Sequence, residues 1–157
     1  MPRSHESRGR PTIWYDTMGD PSNDPLVLLH GFTGTHRTWG RLAEKLAKGH
    51  FLILPDLPGH GRSGVSPSRA AMGIGATSDA LAEVITLECG SKKAALLGYS
   101  LGGRVALDLA CEHQGLLSCL VLEGASPGID EEAAKEQRRA DDEALADEIE
   151  RQGIEWF

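Results

Sequence analysis

The sequence predicts an α/β fold, a mostly parallel sheet with helices on both faces. Four apolar runs of strand length, residues 26–29, 51–54, 94–97 and 117–122, recur along the chain. Stretches of helical period separate them. The loops after these runs are rich in glycine, proline and small polar residues. Strands that alternate with helices need right-handed crossovers, and those leave neighbouring strands parallel. Ligands on such sheets bind at the carboxyl ends of the strands.

Residues 1–10 are polar with no apolar h-region, and read as a frayed terminus, not a secretory signal. Residues 12–17 alternate weakly, as an edge strand would. Gly19, Pro21 and Pro25 mark a turn. Residues 26–29 are continuously apolar, the mark of a central parallel strand. A helix is expected over 36–48, with Trp39, Leu42, Ala43 and Leu46 on one face. The strand at 51–54 runs into a long loop over 55–64. Residues 77–89 place Leu81, Val84, Ile85 and Glu88 at helical spacing. The strand at 94–97 leads into a helix at 101–111 that buries Val105 and Leu109. The strand at 117–122 ends in a turn over 123–128.

The character changes after that turn. Residues 130–151 are rich in Glu, Asp, Arg and Ala, favour helix, and carry most of the net negative charge. Their apolar face is thin, only Ala134, Leu145 and Ile149. Such a helix buries little core and suits a lid, while Arg138 and Asp142 read as an ordinary i,i+4 ion pair. Two regions are therefore expected: a core over 1–128 and the start of a helical cap over 129–157.

At 157 residues the chain can build one modest domain with a real core. A net charge of −7 argues against a nucleic-acid partner. No apolar run approaches membrane-spanning length, so no membrane partner is expected. Cys89, Cys111 and Cys119 are odd in number and lack metal spacing. They read as reduced, buried thiols of a cytoplasmic protein.

Gly98-Tyr99-Ser100-Leu101-Gly102 is a G-x-S-x-G sequence between an expected strand and an expected helix. On so sharp a turn, neighbours with a Cβ would collide with the serine or the next strand. The turn lifts the Ser100 Oγ above the sheet, at the positive end of the following helix. Charge developing beside it needs two N–H donors, and those of Leu101 and Phe32 are the natural pair. A serine nucleophile also needs a base. Where the order is Ser, acid, His, only His113 follows Ser100, and it sits about 18 Å along the helix, where it would cap the end. His30 and His60 precede Ser100 and read as loop-organising residues, with His60 retaining a small claim as a base. Arg104, one turn after Ser100, opposes the helix dipole; an anionic ligand and an acidic capping partner explain it equally well.

Three motifs together resemble the α/β-hydrolase superfamily. They are Leu29-His30-Gly31-Phe32-Thr33-Gly34, Asp56-Leu57-Pro58-Gly59-His60-Gly61-Arg62-Ser63 and the Ser100 turn. Within it, four stretches are similar to the 2-succinyl-6-hydroxy-2,4-cyclohexadiene-1-carboxylate synthases of menaquinone biosynthesis. These are residues 98–104 with 122–128, the Arg138-Arg139-x-x-Asp142 segment, and Gly153-Ile154-Glu155-Trp156-Phe157. The resemblance implies a lyase that eliminates pyruvate from a polycarboxylate cyclohexene without metal or organic cofactor. It implies that Ser100 starts the elimination by removing a proton. Phe32 and Leu101 would hold the enolate, Arg104 and Arg138 would bind carboxylates, and Tyr99 and Trp39 would line the cleft. It also implies that the triad acid and histidine lie beyond Phe157, so the chain is expected to be C-terminally incomplete. A serine ester or thioester hydrolase on the same scaffold and an inactive hydrolase-like chain are the alternatives.

Overall fold

The computed structural model describes residues 2–6, 10–66, 68 and 70–157. It contains six strands in one sheet: β1 (Arg3–His5), β2 (Ile13–Met18), β3 (Asp24–Leu29), β4 (His50–Pro55), β5 (Ala94–Tyr99) and β6 (Leu117–Glu123). Among them run the helices α1 (Gly40–Leu46), α2 (Ile74–Cys89) and α3 (Leu101–Glu112), and α4 (Glu132–Gln152) follows. The strand order is β1-β2-β4-β3-β5-β6. β4, β3, β5 and β6 are parallel, and β1 and β2 join antiparallel at one side.

Side chains alternate across each strand, so β3 feeds two cores. Val27 and Leu29 pack with Leu81, Val84 and Ile85 of α2 and Val105 and Leu109 of α3. Leu28 packs on the opposite face with Leu52, Leu54, Trp39 and Ala43. This two-sided burial is why β3 reads as a continuous apolar run.

Four expectations need correction. Residues 3–5 are not frayed: they form β1, so β2 is not an edge strand. Arg3 pairs with Glu88, His5 Nε2 lies 2.6 Å from Glu83, and Tyr15 donates to Glu88 at 2.8 Å. A short polar strand is thus held by ionic contacts to α2, which no local pattern announces. Burial, with Glu88 alongside, pushes the Tyr15 hydroxyl up to about 12. Residues 1 and 7–9 of the expected frayed segment lie outside the described residues. The helix expected over 36–48 is instead a 3₁₀ turn, His36–Trp39, followed by α1, and Leu42 is exposed. Finally, only Cys89 is buried; Cys111 lies on the outer side of α3 and Cys119 on β6, both exposed.

The chain divides into two compact units, one running to Ala125 and the other from Ser126 to Phe157. The second is α4 with a short tail, and no residue of α4 is buried. Its surface is laced by local ion pairs, Arg138–Asp142 at 2.8 Å and Arg139–Glu136 at 2.8 Å among them. Among the described residues no helix is long and apolar enough to cross a membrane.

Candidate active site

Ser100 stands between β5 and α3 with φ +52°, a conformation that costs a non-glycine residue strain. The neighbouring glycines make it possible. A Cβ on Gly98 would lie 2.5 Å from Gly102 O and 2.6 Å from Gly103 Cα. A Cβ on Gly102 would lie 2.5 Å from His30 O and closer still to Leu29 O. The start of α3 therefore rests on the end of β3, and only hydrogen fits between them. The Ser100 N–H donates to Glu123 O at 2.9 Å, which ties the turn to the end of β6. Leu101 opens α3, so its N–H is among those left without an intrahelical acceptor.

The loop after β3 lies against this turn: a Cβ on Gly31 would sit 3.2 Å from Ser100 Cβ and 2.9 Å from the Tyr99 ring. Gly34 N donates to Gly31 O at 3.0 Å, closing a tight turn with Thr33 at φ +67°. His30 is fully buried beneath it. Its Nδ1 lies 2.8 Å from Gly31 O, and its Nε2 accepts from Leu57 N–H at 3.0 Å. A carbonyl can only accept, so Nδ1 carries the proton and the ring is neutral. Burial above all holds the His30 imidazole below its ordinary value.

Asp56, at the end of β4, joins the two loops. One carboxylate oxygen accepts from the His36 N–H at 2.7 Å and lies 2.9 Å from His36 Nδ1; the other accepts from Arg62 N–H at 2.9 Å. Burial alone would push this carboxyl up. The amides of His36 and Arg62 and the His36 side chain outweigh it and hold Asp56 below the usual carboxylate value. Sequence reasoning treated Asp56 only as part of a motif, because its partners lie up to twenty residues away. His60 turns its Nδ1 to Pro58 O at 3.0 Å, and its ring stands edge-on to Phe32, centroids 5.8 Å apart.

Tyr99 and Phe32 are exposed beside Ser100. Arg104 is half-buried in the first turn of α3; its backbone N–H donates to Ser100 O at 3.2 Å, and its guanidinium makes no hydrogen bond or ion pair among the described residues. Arg138 belongs to the second unit, where two hydrogen bonds to Asp142 hold its guanidinium. Trp39 is nine-tenths buried among Leu28, Ala43, Leu52 and Leu54. Its Nε1 is buried as well and meets no partner among the described residues, so Trp39 packs as core and presents no exposed group to a cleft. His113 is the C-cap of α3 and binds Asp79 at 2.9 Å. Among the described residues no group of three or more His, Cys, Asp or Glu could hold a metal ion.

A strand-to-helix serine on a parallel sheet beside a glycine turn defines a fold family, and the profile of the alpha/beta hydrolase fold matches residues 24–153. The chain belongs to the α/β-hydrolases. Among them it is 38% identical over 146 residues to the 2-succinyl-6-hydroxy-2,4-cyclohexadiene-1-carboxylate synthase of Salmonella schwarzengrund, covering 88% of this chain and 55% of that one. The synthase of Enterobacter sp. is 37% identical over 137 residues, covering 87% and 51%. Among solved α/β-hydrolase structures, MenH from S. aureus superposes with a TM-score of 0.82 at 35% identity, over 90% of this chain and 53% of that one. A thermophilic esterase from Thermogutta terrifontis superposes at 0.80 with 29% identity, over 98% and 54%. The chain thus spans about half the length of the relatives it matches.

The buried neutral His30 makes this α/β-hydrolase site acid-sensitive. Above the ordinary histidine value of ~6.5 neither folded nor unfolded His30 is charged, and its contribution is complete. As pH falls through that value, the unfolded chain takes up a proton that the folded ring resists, so stability drops until the folded ring also titrates. The stability advantage of the native protein over His30→Asn is therefore expected to shrink as pH falls from about 7.5 to 5. Urea midpoints across that range check it; an advantage independent of pH contradicts it.

Proposed function

We propose that these residues carry the proton-abstracting and oxyanion-binding part of a carbon–oxygen lyase of menaquinone biosynthesis. The substrate is 2-succinyl-5-enolpyruvyl-6-hydroxy-3-cyclohexene-1-carboxylate and the product is 2-succinyl-6-hydroxy-2,4-cyclohexadiene-1-carboxylate. Ser100 Oγ, made basic by its triad partners, removes a ring proton. The electron pair left on ring C2 moves into the succinyl ketone as an enolate, which the Phe32 and Leu101 N–H groups stabilise. Collapse of the enolate forms the C2=C3 bond, shifts the ring C3=C4 bond to C4=C5 and breaks the C5–O bond to the enolpyruvyl group. The departing oxygen takes the proton back, and the enol becomes pyruvate. Tyr99 contributes to the cleft, and Arg104 and Arg138 bind substrate carboxylates.

The observation that supports a polyanionic substrate most directly is Arg104, a half-buried cation at the wrong end of a helix dipole with no acidic partner among the described residues. A simple ester cleft has no use for it. Esterase relatives in the same fold keep a serine ester hydrolase as the second reading.

The test joins residues 1–157 to the remaining length of the Salmonella synthase and follows pyruvate release. Arg104→Ala is expected to lower kcat/KM by about 10- to 100-fold, the size of a lost charge-assisted hydrogen bond, chiefly through KM. Arg104→Lys recovers only part, because the two-pronged geometry is gone. Arg138→Ala in the same protein tests the second carboxylate. Unchanged kinetics in both alanine variants, with p-nitrophenyl ester hydrolysis intact, favour the esterase.

A further inference from the structure

We propose that His30 is a positioning residue for the oxyanion site: its Nδ1–H fixes the Gly31–Phe32 peptide so that the Phe32 N–H is presented on the side away from the imidazole. The proposal rests on the reading of Phe32 as an oxyanion donor. In a trans peptide the carbonyl of one residue and the N–H of the next point in opposite directions, and the described residues contain no cis bond. Whatever holds Gly31 O therefore also sets the direction of the Phe32 N–H. Two donors hold it, His30 Nδ1 at 2.8 Å and Gly34 N at 3.0 Å. The Gly34 bond alone closes a turn whose central residue, Thr33, sits at φ +67°, so the turn by itself carries strain. The imidazole bond comes from beneath, from a ring with no solvent exposure.

The ring has its own anchor. Leu57 N–H donates to Nε2 at 3.0 Å, which leaves Nδ1 as the protonated nitrogen. The titratable groups around it argue for the same state. His60 lies 5.3 Å away between ring centroids, with its own Nδ1 turned to Pro58 O. Asp56 and His36 engage each other instead of His30. A proton added at Nε2 would displace the Leu57 bond and place a charge in a site without exposure. The chain from Leu57 N–H through the ring to Gly31 O thus links the loop after β4 to the donor beside Ser100.

A test on the 157-residue chain itself needs no substrate, so it reads the positioning separately from the lyase assay. In the ¹⁵N-labelled protein, long-range imidazole spectra are expected to show His30 protonated at Nδ1 and bare at Nε2 at neutral pH. Residual dipolar couplings then report the direction of the Phe32 N–H. His30→Ala is expected to shift the Phe32 coupling while those of β5 and α3 stay in place. Asparagine puts a donor amide where Nδ1 stood, and glutamine puts an acceptor near the place of Nε2. His30→Asn is therefore expected to restore the native Phe32 coupling and His30→Gln is not. Protonation at Nε2 in the native protein overturns the proposal without any variant. So does an unmoved Phe32 coupling in His30→Ala, or recovery by Gln and not by Asn, which would make the ring only a support for Leu57.

Discussion

Ser100→Ala is expected to abolish pyruvate release when residues 1–157 are joined to the rest of a relative's length, by a factor on the order of 10⁶, as loss of the triad serine does in subtilisin. Alanine removes the Ser100 oxygen and fits its backbone without touching the N–H donors. Substrate binding should be nearly unchanged, because the carboxylate contacts and donors remain. Retention of more than a few per cent of turnover would remove Ser100 from the reaction. Residues 1–157 alone are expected to show no turnover above a Ser100→Ala control. His30 is locked between Gly31 O and Leu57 N–H, His36 is bound by Asp56, His113 by Asp79 and His5 by Glu83. No described histidine is hydrogen-bonded to Ser100. Serine-dependent hydrolysis of p-nitrophenyl acetate by this chain would point to His60, whose Nε2 is left as an acceptor.

Gly102→Ala carries the largest expected loss of stability, about 4 kcal/mol or more. The added methyl meets backbone oxygens of Leu29 and His30, not flexible side chains, so relief requires α3 to lift off β3. That lift moves Ser100, Leu101 and the His30 loop together. At 2–4 °C per kcal/mol for a chain of this size, the melting temperature should fall on the order of 10 °C. Gly75→Ala is the control: it lies in α2 with open space at the Cβ position and should be neutral to stabilising, by up to ~1 kcal/mol. Equal melting temperatures for the two variants would refute the packing argument.

The turn at Ser100 was legible because its pattern is local: Gly98, Ser100 and Gly102 stand within five residues, and the need for Gly98 is set by Gly102 and Gly103, although that for Gly102 comes from the end of β3. β3, β4, β5 and α3 were legible for the same reason, as apolar runs buried on both faces or one, and β6 as an apolar run although only Leu117 and Leu120 are partly buried. The strand order was not, since nothing in residues 24–29 says that they sit between β4 and β5. β1 escaped because three polar residues have no apolar alternation, and the groups that hold it lie on α2, some eighty positions away. The linking role of Asp56 escaped likewise, since its main partners are backbone amides at His36 and Arg62. Arg104 read as ambiguous from position, and only the absence of an acidic neighbour among the described residues separates its two explanations.

Deuterium exchange should expose one consequence of the bond from Ser100 N–H to Glu123 O. β3 and β5 are paired along both edges, whereas β6 is paired only to β5 among the described strands, with Val121 and Leu122 about half exposed. Amides of the interior strands open only with the whole sheet, while those of a one-sided strand open by fraying. The amide of Ser100 is therefore expected to exchange at the rate of β6, faster than the β5 amides that face β3. Ser100 sits at the end of an interior strand yet is tied by its amide to a strand paired on one side.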